Sequence, residues 1–319
     1  MKKDWILFAL PGLIWGASFL FIAEGLEATG PYGVAFVRLL VGFLALSAFP
    51  AARRSIGGSG WLAIAVVGLT WMAFPFTMFS LAEQRVSTAV TGMMNGAVPF
   101  FATIFAVLFT RRAPARDIVI GLVVGIAGSV LIALPSASAG ASTAVGIGMI
   151  LAAVTSYGIA INVARPLQQT YGALPVIWRA QAVALLLTAP LGLPDVLNAT
   201  WSLWPVVSLL ALGALGTGVA FVLTVTVAGR MGAPVASAIA FLIPPVALLL
   251  GVLVRGERVA LISVVGAAIC IAGAVIMQRK PAHAANQLRQ ADARPVRGDG
   301  SPRPVLAGVQ CRGEAAASN

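Results

Sequence analysis

Long charge-free apolar runs, broken by charges and by clusters of Gly, Pro and Ser, set the pattern of this chain. A helix that crosses a bilayer needs about 20 mostly apolar residues. Ten candidate spans meet that criterion, at about 5–23, 33–50, 61–82, 87–109, 118–134, 146–164, 175–193, 204–227, 234–254 and 260–278. The charge-free stretch from Ile118 to Ala164 is too long for one span, and the small-residue segment Pro135–Thr143 is expected to be a loop that splits it. Lys2 and Lys3 before an apolar run have the look of a signal peptide, but Glu24 follows with no small-x-small cleavage pattern and nine further spans come after. The expected fold is an all-α polytopic membrane protein.

Composition agrees. Of 319 residues, 59% are hydrophobic and 10% charged, against about 25% charged in a soluble domain. A water-soluble fold of this length cannot bury that much apolar surface, and a disordered chain needs low hydrophobicity. The formal net charge is +11. With no aromatic-interleaved basic stripe in the spans, this excess implies basic loops beside an anionic leaflet, with the lipid bilayer as partner and no nucleic acid. With the N-terminus inside and ten alternating spans, the inner segments hold Lys2, Lys3, Arg53, Arg54, Arg111, Arg112, Arg116, Arg165, Arg230, Arg279 and Lys280. The outer loops then hold only Arg85, Arg255 and Arg258, with Glu24, Glu27, Glu83, Asp195 and Glu257. Both termini are therefore expected in the cytoplasm, in a plasma (inner) membrane. Residues 279–319 carry seven Lys/Arg, four Pro and no long apolar run, which reads as a disordered basic cytoplasmic tail.

The two halves resemble each other. At an offset of 145, Pro99 meets Pro244, Gly121 meets Gly266 and Gly128 meets Gly273. Arg38 meets Arg179 at 141, Trp15 lies near Tyr157 at 142, and Trp61 meets Trp204 at 143. Five spans per half is an odd number, so the second copy, 140–278, must enter the membrane in the sense opposite to the first, 1–139. Inverted repeats are the architecture of many secondary transporters, because their pseudo-symmetry supplies two similar packings, one open to each side.

The pattern also resembles a known family. An early Trp15-Gly16-Ala17-Ser18-Phe19 is followed by Pro31 before an Arg38-bearing second span, a fourth span with a central Pro99-Phe100, the ninth-span run Ala236–Val246, then Gly256-Glu257-Arg258 and Gly266…Gly273. Over about residues 5–280 this is similar to EamA-type members of the drug/metabolite transporter superfamily. In the first half, Arg111-Arg112-Ala113 stand where that family's Gly-Glu loop is expected. The resemblance implies export of small metabolites such as amino acids, with drugs or other metabolites as the alternative cargo.

Polar groups in apolar spans are costly unless paired and mark candidate sites. Arg38, about 10 Å along its helix from Pro31, could anchor a substrate carboxylate, or bond carbonyls of neighbouring helices as a structural arginine. Arg179, four residues past Pro175, is better placed to snorkel. Asn95 precedes Pro99 by four residues, so the proline should free the Asn95 carbonyl and leave a polar notch at mid-membrane. Pro244-Pro245 should kink the ninth span similarly. Asn162 and Gln181 are further polar candidates, and Trp15, Trp71, Phe76, Tyr157 and Phe241 could line an aromatic cavity. The acids sit near span ends, which points no more to proton coupling than to a facilitator or exchanger.

Two cysteines and one histidine, His283, outside the spans provide no metal site. No Walker loop, H-E-x-x-H or pair of intramembrane Asp is present, so neither a cofactor nor enzymatic chemistry is expected. A non-transporting receptor or assembly partner would be the competing class, though the tail is too short and polar for an output domain. The expectation is a secondary carrier for a small organic solute.

Overall fold

The computed structural model describes residues 2–111, 113–231 and 239–278. The tail expected over 279–319 and the start of the expected ninth span lie outside them. Every regular element among the described residues is helical, and no strand occurs among them. In chain order the rods are α1 (Lys2–Gly25), α2 (Pro31–Ser47), α3 (Trp61–Glu83), α4 (Thr88–Thr110), α5 (Arg116–Ser138), α6 (Ala141–Tyr171), α7 (Ala173–Leu197), α8 (Leu203–Val227), α9 (Ile239–Leu253) and α10 (Leu261–Gln278). Seven of them, α1 and α3 to α8, are long and apolar enough to cross a membrane, while α2, α9 and α10 are shorter apolar helices. Their outer faces are greasy: Leu62 is 81% exposed and Leu186 75%. Contiguous apolar surface of that kind belongs against lipid tails.

Two local expectations are corrected. The segment Pro135–Thr143 is not a loop. Helix α5 runs through Pro135 to Ser138, and α6 resumes at Ala141. The break is confined to the turn at Gly140, whose φ of 147° suits only glycine. Pro244 and Pro245 stand where the described part of the ninth span changes helix type rather than inside a regular α-helix. They follow a 3₁₀ turn (Ile239–Leu242) and open the α-helical part of α9, where a missing N–H costs nothing.

The rods are not uniform α-helix. Helix α4 tightens into a 3₁₀ turn at Asn95–Ala97, and the Val98 N–H bonds the Asn95 carbonyl. The carbonyl that Pro99 should have released is thereby taken back. Helices α3 and α8 each widen into a π segment, Gly68–Ala73 and Leu212–Val219. Such segments displace backbone carbonyls from the regular ladder and are frequent at functional sites.

Small residues bring the backbones together. A Cβ on Gly128 of α5 would stand 2.4 Å from the Cys270 nitrogen of α10, and one on Gly273 of α10 would stand 2.5 Å from the Gly125 nitrogen of α5. Ser263 Oγ donates to the Ile132 carbonyl at 3.0 Å along the same antiparallel crossing. Elsewhere α2 packs on α7, α4 on α9, α1 on α8 and α9, and α6 on α3 and α4. The two larger of the buried clusters that result lie around Phe19, Phe79, Met93 and Phe100 and around Leu39, Ile64, Met72 and Phe76; a small third joins Val227 and Ile239. Trp15 and Tyr157 pack against both of the larger ones, at the seam between them.

Candidate functional site

The π segment of α8 gathers three helices. Widening the turn releases the carbonyls of Gly216 and Thr217 toward neighbours. Trp15 of α1 donates its Nε1–H to Gly216 O at 2.9 Å, and Gln181 of α7 donates Nε2–H to Thr217 O at 2.7 Å. Thr217 Oγ1 donates to Leu212 O, five residues back, at 3.2 Å. That same oxygen accepts Arg38 Nε–H from α2 at 2.9 Å. In the π segment of α3, Thr70 O accepts Ser156 Oγ–H of α6 at 2.7 Å.

Arg38 is 7% exposed, so its charge is almost wholly desolvated. Its guanidinium carbon lies 3.7 Å from the centroid of Phe76, a cation–π contact worth about 2 kcal/mol when desolvated. Among the described residues no acceptor takes its two terminal nitrogens. A guanidinium held through Nε keeps the N–H groups of its two terminal nitrogens, a planar fork whose geometry matches the two oxygens of a carboxylate.

Further aromatic rings pack on one another in the same bundle. Phe221 makes edge contacts with Trp15 at 5.6 Å and with Trp71 at 5.9 Å. Phe79 touches Phe19 at 5.5 Å and Tyr157 at 5.8 Å. Gln181 Oε1 is buried without a donor. Of the residues singled out from sequence, Trp15, Arg38, Trp71, Phe76 and Gln181 are thus linked into one aromatic and polar group, with Tyr157 packed at the same seam.

The others lie apart from it. Arg179 donates Nη1–H to Pro175 O at 3.1 Å and to Ala52 O at 3.4 Å, tying α7 to the turn Pro50–Arg53. Asn162 donates to Ala102 O at 2.8 Å and Gly158 O at 2.9 Å, and lines an open groove of about 450 Å³ with Thr103, Thr110 and Arg165. Asn95 Oδ1 is buried without a donor, but no described contact joins it to Arg38. Pro99 stands at the start of the α-helical part of α4 just beyond that 3₁₀ turn, and its carbonyl accepts Thr103 Oγ1–H at 2.9 Å. Pro244 is buried against the Gly96 backbone, and Phe241 packs on the first core cluster. Sequence reasoning missed Thr217 and Phe221. The run Gly213-Ala-Leu-Gly216-Thr217-Gly218 in an apolar span is the signal that could have found the first.

A profile of the EamA-like transporter family matches residues 3–134 and again residues 144–279. The probable terminal-alkyne amino-acid exporter of Streptantibioticus cattleyicolor is 27% identical over 283 residues, 88% of this chain and 94% of that protein. The uncharacterized transporter YdfC of Bacillus subtilis is 27% identical over 266 residues, 82% of this chain and 86% of that one. A solved crystal structure superposes with a TM-score of 0.60 over 92% of this chain and 100% of that chain, at 16% identity, and shares the fold alone. With the family profile matched along nearly all of its helical part, this multi-pass membrane protein belongs to the EamA-like transporter family.

Proposed function

We propose that this protein is a ten-span secondary carrier that exports small organic metabolites, amino acids first among them. Two inverted five-helix repeats, 1–139 and 140–278, rock against each other around a central site, with both termini in the cytoplasm of the cell. The observation that carries the substrate class is Arg38, a buried guanidinium anchored through Nε whose terminal nitrogens meet no acceptor among the described residues. Its fork takes the carboxylate, while Trp15, Trp71, Phe76, Phe221 and Tyr157 enclose the apolar part of the solute. The printed description of the Streptantibioticus relative as a probable amino-acid exporter supports the same class.

Helix pairing supports the inverted repeat. Exchanging each helix of the first half for its counterpart five places on maps α1–α8 onto α6–α3 and α1–α9 onto α6–α4, and maps α5–α10 onto itself. The self-pairing recurs at the level of residues. Gly128 faces Cys270 and Gly266, and its counterpart Gly273 faces Gly125 and Gly121. Reciprocal contacts of that kind are the mark of a two-fold axis.

Flux of radiolabelled amino acids through proteoliposomes tests the reading. Saturable flux of the wild type that Arg38→Ala removes is the expected result. No flux of any amino acid, with the protein folded and inserted, overturns it.

A further inference from the structure

Glu83 closes α3 at the end of the bundle that also bears Glu24, Glu27, Arg255 and Glu257. It lines a cavity of about 240 Å³ together with Glu27, Thr88, Arg255 and Glu257. The other charged groups there are engaged. Glu257 accepts the backbone N–H groups of Thr88 and Ala89, each at 2.8 Å, and so caps the start of α4. Arg255 donates to Glu27 at 2.7 Å and to Glu24 at 2.8 Å. Arg85, in the adjoining turn, donates to Leu81 O at 2.8 Å.

Glu83 alone in this cavity has no such arrangement. Both carboxylate oxygens are buried and no hydrogen bond of good geometry from the described residues closes on either; the Thr88 hydroxyl is the donor within reach. Glu257 and Arg255 line the same cavity as Glu83, and the Arg38 charge also acts on it from α2. Tyr157 of α6 reaches the same field through Arg38. A carboxylate cannot stay ionised in such a place without a partner. The described residues hold no group of three metal-binding side chains. The oxygens are sealed from a water-sized probe, so a hydrated cation or a substrate ammonium cannot touch them unless the site rearranges.

We infer that Glu83 is the proton-exchange residue of this carrier, neutral when sealed and ionised when opened to the adjacent cavity. In that step the carboxyl O–H bond breaks, its electron pair stays on the carboxylate oxygen, and the proton passes to a water of the cavity. The inference rests on the carrier reading for its purpose. Arg38 ties the two sites together: a substrate carboxylate on Arg38 cancels the positive charge that favours ionisation of Glu83. Proton occupancy and substrate occupancy therefore reinforce each other, in both directions by linkage.

Infrared difference spectroscopy on the full chain in lipid bilayers tests the site without any substrate. The wild type should show a carboxylic-acid C=O band that shifts in heavy water and fades as pH rises. Glu83→Gln should lack the band, Glu83→Asp should keep it, and Arg38→Gln should move its midpoint to higher pH. Thermal unfolding in detergent verifies that each variant is folded. Identical spectra for the wild type and Glu83→Gln at every pH overturn the inference, and so does a band that neither titrates nor exchanges. In proteoliposomes, labelled amino-acid flux of the wild type should depend on pH and that of Glu83→Gln should not. A wild-type flux that ignores pH overturns the coupling. Absence of wild-type flux overturns the carrier reading instead, and the infrared band then still decides the fate of the proton site.

Discussion

Arg38 and Arg179 occupy matching places in the two halves of the sequence, and the structure puts them to opposite uses. Arg179 gives its Nη1 to two backbone carbonyls and fastens the turn Pro50–Arg53 to α7. Among the described residues Arg38 bonds through Nε alone, to Thr217, and its fork over Phe76 meets no acceptor. Both are buried to within 9% exposure, so burial does not separate them. Their acceptors do. A pseudo-symmetric frame can carry the same residue twice and keep one copy for structure. The turns after α4 and α9 repeat the lesson. At the alignment offset of 145, Arg111 meets Gly256, and both are left-handed, with φ of 51° and 64°. Glycine adopts that conformation freely, whereas arginine does so at a cost.

The largest effect should come from Arg38→Ala, which should lower kcat/KM for a carboxylate-bearing amino acid by about 100-fold, or about 3 kcal/mol. Arg179→Ala should leave KM within about twofold while lowering stability by about 1–3 kcal/mol. Labelled-substrate flux and thermal unfolding, run on both variants, read the contrast; equal losses of KM would erase it. Next come the paired glycines. Gly128→Ala and Gly273→Ala should each cost about 1–3 kcal/mol, because their new methyls meet backbone atoms across the α5–α10 crossing. A Tm unaffected in one and lowered in the other would show that the crossing is not reciprocal. Glu257→Ala should cost about 1–2 kcal/mol through the lost cap on α4, with Glu257→Gln recovering part of it. The smallest effect is a gain. Arg111→Gly should raise stability by about 0.5–1 kcal/mol, read as a higher Tm, whereas Gly256→Ala should lower it.

The helical rods were legible because lipid demands apolar runs of near-constant length, and charges mark where those runs stop. Arg38 was legible because a guanidinium is conspicuous in an apolar span. Its partner was not: Thr217 lies 179 residues away and becomes an acceptor only through a π segment that hydropathy does not encode. Pro135 misled because proline is read as a breaker, yet α5 carries it inside its last turns. Glu83 read as a span-end acid because sequence position reports depth along one helix. Its carboxylate oxygens are buried beside a cavity that Thr88 and Glu257 also line.

The π segments have one more consequence. Each is an α-helix holding one residue more than its turns accommodate, and its surplus carbonyls are held open by Trp15 and Gln181 in α8 and by Ser156 in α3. A helix with a spare residue can change phase without unwinding: as the wide turn migrates by one step, the faces beyond it rotate. Moving the wide turn of α8 would carry Thr217 away from Arg38 and release the guanidinium, while Trp15 lost its carbonyl. The two wide turns are thus indexing points at which the halves could exchange partners while each rod keeps its length across the bilayer.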